Sequence, residues 1–161
     1  MKNKKLNIEI DVHSKKDLVS KYSDDTLSLE LKEYLLNELV GEDINSKVNI
    51  NFNLQVKLTN REQDEFKKIL RQEFKETLKE LDNESKSSNI QKMALTLAGI
   101  TFILLSTFVS TLSDVTQEIL DIFGWVALWE VAYAMFFTDG KRRKKIKRIK
   151  QILNSEIIFK D

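Results

Sequence analysis

Residues 93–112 read MALTLAGITFILLSTFVSTL, twenty consecutive residues without a charge. At about 1.5 Å per residue, a helix of that length covers the roughly 30 Å hydrocarbon core of a bilayer. A second apolar stretch, residues 119–137 (ILDIFGWVALWEVAYAMFF), carries Asp121 near one end and Glu130 near its centre. Two such segments in a chain of 161 residues leave room for a membrane hairpin and one small further domain.

The interval SDVTQE between the segments has no positive charge, whereas KRRKKIKRIK at 141–150 carries eight Lys/Arg in ten residues. The positive-inside rule then places the C-terminus in the cytoplasm, and a hairpin returns the N-terminal part to the same side. The N-terminus, MKNKKLNIEIDVHS, is basic and then alternates, so it lacks the apolar run of a secretory signal peptide. The expected location is the cytoplasmic membrane, crossed twice, with both ends inside. Between Lys92 and Lys141 the only charges are Asp114, Glu118, Asp121, Glu130 and Asp139.

A charged residue at mid-bilayer costs roughly 2.5 to 3.5 kcal/mol even on insertion scales, so Glu130 needs a partner or a task. Helical spacing puts Phe123, Ala127, Glu130, Ala134 and Phe137 on one stripe, with small residues one turn either side of the carboxyl. The first segment offers Thr101, Ser106, Thr107, Ser110 and Thr111 as hydroxyl partners, with Ser106 and Ser110 forming a small-xxx-small pair. Three readings of Glu130 follow: a bonded group inside the hairpin or between subunits, a group lining a polar pathway, or a side chain snorkelling to water. Trp125 and Trp129 read as lipid-facing or helix-packing surface, with Trp125 still within reach of the outer interface.

In KRRKKIKRIKQIL, Ile146, Ile149 and Leu153 recur at helical spacing among Lys141, Arg142, Arg143, Lys144, Lys145, Lys147, Arg148 and Lys150. Such a juxtamembrane segment meets anionic lipid headgroups, at about 1 kcal/mol per basic residue. The simplest alternative is that these charges only fix topology. Nucleic acid is the weaker rival, because no aromatic platform is interleaved with the cations.

The remaining sequence describes a small domain. Period-two alternation in LNIEIDV (6–12) and VNINFNLQVKL (48–58) predicts two strands, each with one buried face and, in the second, an Asn-rich wet one. Ser14 opens a capping-box-like SKKD before a short turn. A helix is expected over Thr26–Val40, with Leu27, Leu31, Tyr34, Leu35 and Leu39 inward and Gly41 at its stop. Asn60 is expected to cap a helix over 61–85 carrying Phe66, Ile69, Leu70, Phe74, Leu78 and Leu81 at three- and four-residue spacing. DNESKSSN (82–89) is either a hinge or polar helix continuing into the membrane. Two strands alone make no stable sheet. The tail EIIFK (156–160) is therefore expected to close a mixed three-stranded sheet, placing Ile157 and Phe159 beside Phe52 or Ile8.

Zero cysteines exclude disulfides, thiolate catalysis and sulfur-based zinc sites, and His13 alone leaves little for triad or metal chemistry. His13 reads as a solvated strand-end residue, with pH sensing as its alternative. No GxxxxGK[ST] or GxGxxG motif is present. No catalytic residue, cofactor or metal is expected.

The segment GWVALWE, followed by the basic run and LNSEIIF, resembles small two-span bacterial membrane proteins of uncharacterised families. That resemblance covers about the C-terminal 45 residues and implies no activity. In architecture alone the chain also resembles two-span effectors of bacterial defence systems. The expected fold is α+β: a cytoplasmic β-α-β-α domain (1–88), a hairpin (89–138), and a basic juxtamembrane helix with a tail strand (139–161). The expected role is a non-enzymatic interaction or regulatory module that self-associates and has a protein partner the sequence does not name. A pore acting through Glu130 is the alternative, and a membrane-surface enzyme the remote one.

Overall fold

The computed structural model describes residues 5–109 and 114–160. The elements in order are β1 (Lys5–Val12), a 3-10 turn (Lys15–Asp17), β2 (Val19–Ser20), β3 (Ser23–Leu27), α1 (Leu29–Glu38) and β4 (Lys47–Leu54). They continue with α2 (Asn60–Val109), α3 (Asp114–Tyr133), a π-helical turn (Ala134–Thr138), α4 (Asp139–Leu153) and β5 (Glu156–Lys160). Two compact units result: residues up to Glu80 together with those from Lys144, and residues Leu81–Arg143.

The first unit is mixed α/β and holds a three-stranded sheet in the order β1-β4-β5. The tail strand is present at the predicted residues, but the sheet is entirely parallel rather than mixed. Gln151, in the last turn of α4, explains the direction. Its Nε2 donates to the carbonyls of Asp43 and Ser46 at 3.0 and 3.1 Å, which ties the end of α4 to the segment just before β4. Leaving α4 there, the chain enters β5 beside the start of β4, with Asn49 opposite Glu156. Parallel neighbours require a crossover. Here the connection from β4 to β5 is the whole of α2, α3 and α4.

Alternation predicts the buried face well. Ile8 and Val12 of β1, Val48, Ile50 and Phe52 of β4, and Ile157 of β5 are buried, as are Leu31 and Leu35 of α1, Phe66, Leu70 and Phe74 of α2, and Ile149 and Ile152 of α4. Phe159 stacks on Phe52 with ring centroids 5.3 Å apart, and Phe66 meets both rings edge-on at 5.3 and 6.1 Å. Each such pair contributes about 0.5–1.5 kcal/mol beyond its buried area. The opposite face is less wet than its asparagines imply, since Asn51 on the central strand is buried. Asn53 donates to Asp11 at 2.9 Å, and Lys160 pairs with Glu9 at 3.5 Å.

Three local expectations need adjustment. Residues 19–27 form the β2–β3 hairpin, so the first helix starts at Leu29 rather than Thr26. Its N-cap is Ser28, whose Oγ accepts from the Leu31 N–H. Gly41, at φ +94°, takes the left-handed conformation after the helix that favours glycine. At the start of α2 the capping residue is Thr59, not Asn60. Thr59 Oγ1 accepts from the Glu62 N–H at 3.3 Å and Glu62 Oε2 accepts from the Thr59 N–H at 2.8 Å, a reciprocal capping box. The polar stretch 82–89 is helical within α2.

Candidate functional site

α2 and the continuous helical stretch Asp114–Leu153, which joins α3, the π-helical turn and α4, are long and apolar enough to cross a membrane, by length and composition. Within the Leu81–Arg143 unit their contacts run antiparallel: Lys92 meets Asp139, Gly99 meets Gly124 and Leu128, Ile103 meets Gly124, and Ser106 meets Asp121. Two glycines set how closely the helices approach. A Cβ on Gly124 would lie 2.6 Å from Ile103 Cγ1 and 3.0 Å from the Gly99 carbonyl oxygen. A Cβ on Gly99 would lie 3.0 Å from the Gly124 carbonyl oxygen. Small residues at such a crossing let the backbones approach closely, and the resulting van der Waals packing is one of the sources of helix association in lipid.

A polar pair lies beside that crossing. Ser106 is 1% exposed, and its hydroxyl donates towards Asp121 Oδ1 at 2.5 Å and the Ile103 carbonyl at 2.8 Å. One hydroxyl hydrogen is shared between two acceptors. At the other end of the hairpin, the Lys92 ammonium is hydrogen-bonded to Asp139 Oδ2, and Arg142 Nη1 stands 3.5 Å from Asp139 Oδ1. The side chains of all three are nearly buried, at 12–14% exposure. Hydrogen bonding from Lys92 holds the Asp139 carboxyl below its ordinary range against the opposing effect of burial, with further help from the charges of Lys92, Arg142 and Arg143.

Glu130 stands elsewhere. At about 100° per residue it lies about half a turn round α3 from Asp121. It is exposed and has no hydrogen-bond or ion-pair partner among the described residues. The role of hydroxyl partner that the sequence offered to Glu130 is taken by Asp121. Ala127 and Ala134 are half-buried. Thr101 and Thr107 are exposed, and their hydroxyls donate to the carbonyls of Leu97 and Leu104 in their own helix, at 2.8 and 2.7 Å. Ser110 and Thr111 lie outside the described residues. Phe137, in the π-helical turn after Tyr133, packs on Tyr133 four residues earlier, ring centroids 5.0 Å apart.

The basic residues divide between the two units. Lys141, Arg142 and Arg143 belong to the helical unit, and Lys144, Lys145, Lys147, Arg148 and Lys150 to the sheet unit. Arg142 and Arg148 are half-buried and the other six are exposed. Sequence reading missed the glycine crossing and the Ser106–Asp121 and Lys92–Asp139 contacts. The signal was available, since two of the four glycines fall inside the apolar segments.

No family model, curated protein or solved structure matches this chain. Among the described residues, no group of three His, Cys, Asp or Glu side chains is placed to hold a metal ion.

Proposed function

We propose that the chain is a two-span protein of the cytoplasmic membrane, without catalysis of its own, that self-associates through the Glu130 face of α3 and acts as an interaction or regulatory module for a further protein. The observation carrying this reading is the bareness of the apolar helices. Only 11% of the most apolar window of α2 and 6% of that in the second helix is buried. A core helix of a water-soluble protein is mostly covered, whereas Ile100, Leu104, Phe108, Ile122, Trp125 and Trp129 are all exposed. Apolar surface on that scale calls for lipid or another helix. Both flanks of the hairpin contribute strands to one sheet, in keeping with both lying on one side of the bilayer. The basic run supports a cytoplasmic side, next to anionic headgroups, by the positive-inside rule.

The absence of cysteine allows a direct test of topology. In intact cells an impermeant maleimide should label Glu118→Cys, and it should label Lys16→Cys and Lys144→Cys only after lysis. Release of the chain by alkaline carbonate, or the opposite labelling pattern, would refute the reading. Self-association rests on Glu130, whose carboxyl has no partner among the described residues. Sedimentation in detergent should give an oligomer that Glu130→Leu weakens about tenfold; a monomeric parent chain would remove this part.

A pore is the second reading, favoured by the same exposed carboxyl. Ion flux into reconstituted vesicles that falls in Glu130→Gln would establish it. Flux that is absent, or unchanged by the substitution, leaves the interface role.

A further inference from the structure

A cavity of about 580 Å³ opens in the sheet unit where β1 and β4 begin and α4 ends. Its volume falls within the range typical of small-ligand sites. Four lysines line it: Lys5 from β1, Lys47 from β4, and Lys147 and Lys150 from one face of α4. Among the described residues, the only carboxylate in the lining is Glu156. Among the described residues, none of the four lysines forms a salt bridge, although other lysines of the chain do.

The floor is fixed and polar. Ser46 is buried, and Gln151 Nε2 donates to the Asp43 and Ser46 carbonyls and to Ser46 Oγ at 3.0–3.3 Å. These bonds tie α4 to the entry of β4 and so hold the lysines of both elements around one opening. Four ammonium groups facing one carboxylate repel one another, and a multivalent anion relieves that repulsion. Lysine binds phosphate as a flexible point charge with three donors. A purely topogenic basic run has no need of Lys5 and Lys47, which lie far from it in sequence.

We infer that this cavity is a binding site for a phosphorylated ligand, held by Lys5, Lys47, Lys147 and Lys150. The phosphate could come from an anionic lipid headgroup or from a free phosphorylated metabolite, and the experiment separates the two. Lysine acylation is followed by mass spectrometry on the full chain in phosphatidylcholine nanodiscs, with and without pyrophosphate, and in nanodiscs containing phosphatidylglycerol.

Protection of the four lining lysines relative to the exposed Lys144 and Lys145 is the expected result. Protection by pyrophosphate alone identifies a free ligand, protection by phosphatidylglycerol alone a headgroup, and protection by both a site open to either. Equal protection of Lys144 and Lys145 by pyrophosphate, or no protection of the four lining lysines in either arm, overturns the proposal. In parallel, Lys47→Gln with Lys150→Gln should weaken pyrophosphate binding at least about tenfold, while Lys144→Gln with Lys145→Gln leaves it within about twofold. Equal losses from the two double variants would reduce the effect to general surface charge and overturn the site. The pyrophosphate titration runs equally in non-ionic detergent, so it stands apart from the membrane topology.

Discussion

The Ser106 hydroxyl lies 2.5 Å from Asp121 Oδ1, linking α2 to α3 where Ser106 is otherwise sealed from solvent. Interhelical hydrogen bonds in lipid contribute about 0.6 kcal/mol on average and up to about 1.7. Ser106→Ala should therefore lower the stability of the hairpin by about 1 kcal/mol, read from unfolding by SDS in mixed micelles. Asp121→Asn keeps an acceptor for the hydroxyl and should shift the midpoint less. Parent-like unfolding of Ser106→Ala would show that the pair contributes nothing.

The glycine crossing gives a steeper expectation. Because a Cβ at Gly124 would sit 2.6 Å from Ile103 Cγ1, any larger side chain must push the helices apart. Gly124→Leu should cost about 1–3 kcal/mol, the usual range for overpacking. Cysteines replacing Phe102 and Phe123, whose ring centroids lie 6.0 Å apart, can be joined by a short bifunctional maleimide in this cysteine-free chain. Cross-linking should be efficient in the otherwise unchanged background and should collapse when Gly124→Leu is added.

The capping box of α2 predicts a pH dependence. A hydrogen bond from Lys15, reinforced by those from Thr59, lowers the Glu62 pKa from 4.5 to about 2. A depressed carboxyl pKa stabilises the fold above the unfolded value, and that stabilisation fades as pH falls from about 4.5 towards 2. Glu62→Gln retains acceptors for the cap but loses the charge. Exchange protection of the amides at 63–66 should differ between parent and variant at neutral pH, and the difference should close across that window. Raised salt should shrink it, because the pair is partly exposed. A gap that persists below pH 2 would point away from the ionised carboxyl.

The aromatic contact between β4 and β5 sets a test of the tail strand. Phe159→Ala removes the ring stacked on Phe52 and should destabilise the sheet unit by about 2–4 kcal/mol, a little under the range for a fully buried phenylalanine. Limited proteolysis should then cut β1 and β4 as readily as the tail. Clipping confined to the tail would separate β5 from the integrity of the sheet.

The two long strands, the tail strand and the apolar helices were legible because their periodicities depend only on which face is buried. Val48, Ile50 and Phe52 announce a strand without help from any other element. The direction of β5 was not legible, since it depends on where α4 ends, and that is fixed by Gln151 bonding to backbone a hundred residues earlier. The β2–β3 hairpin escaped notice because VSKYSDDTL has almost no apolar alternation. Helical phase puts Glu130 and Ala127 on neighbouring positions of α3, but it does not say which stripe of α3 faces α2. Gly99 and Gly124 decide that, and glycine within an apolar run was the available clue. The lysine cavity combines three distant segments, and a linear reading has no means of joining them.

The sheet also imposes an order on biosynthesis. β1 and β4 leave the ribosome early, but their third partner is made only after both apolar helices. Until then Ile50 and Phe52 lack the side chains of Ile157 and Phe159 beside them. A nascent chain stalled within the hairpin therefore carries an incomplete and protease-sensitive sheet, and closure of that sheet marks a chain whose hairpin has been synthesised through to its end.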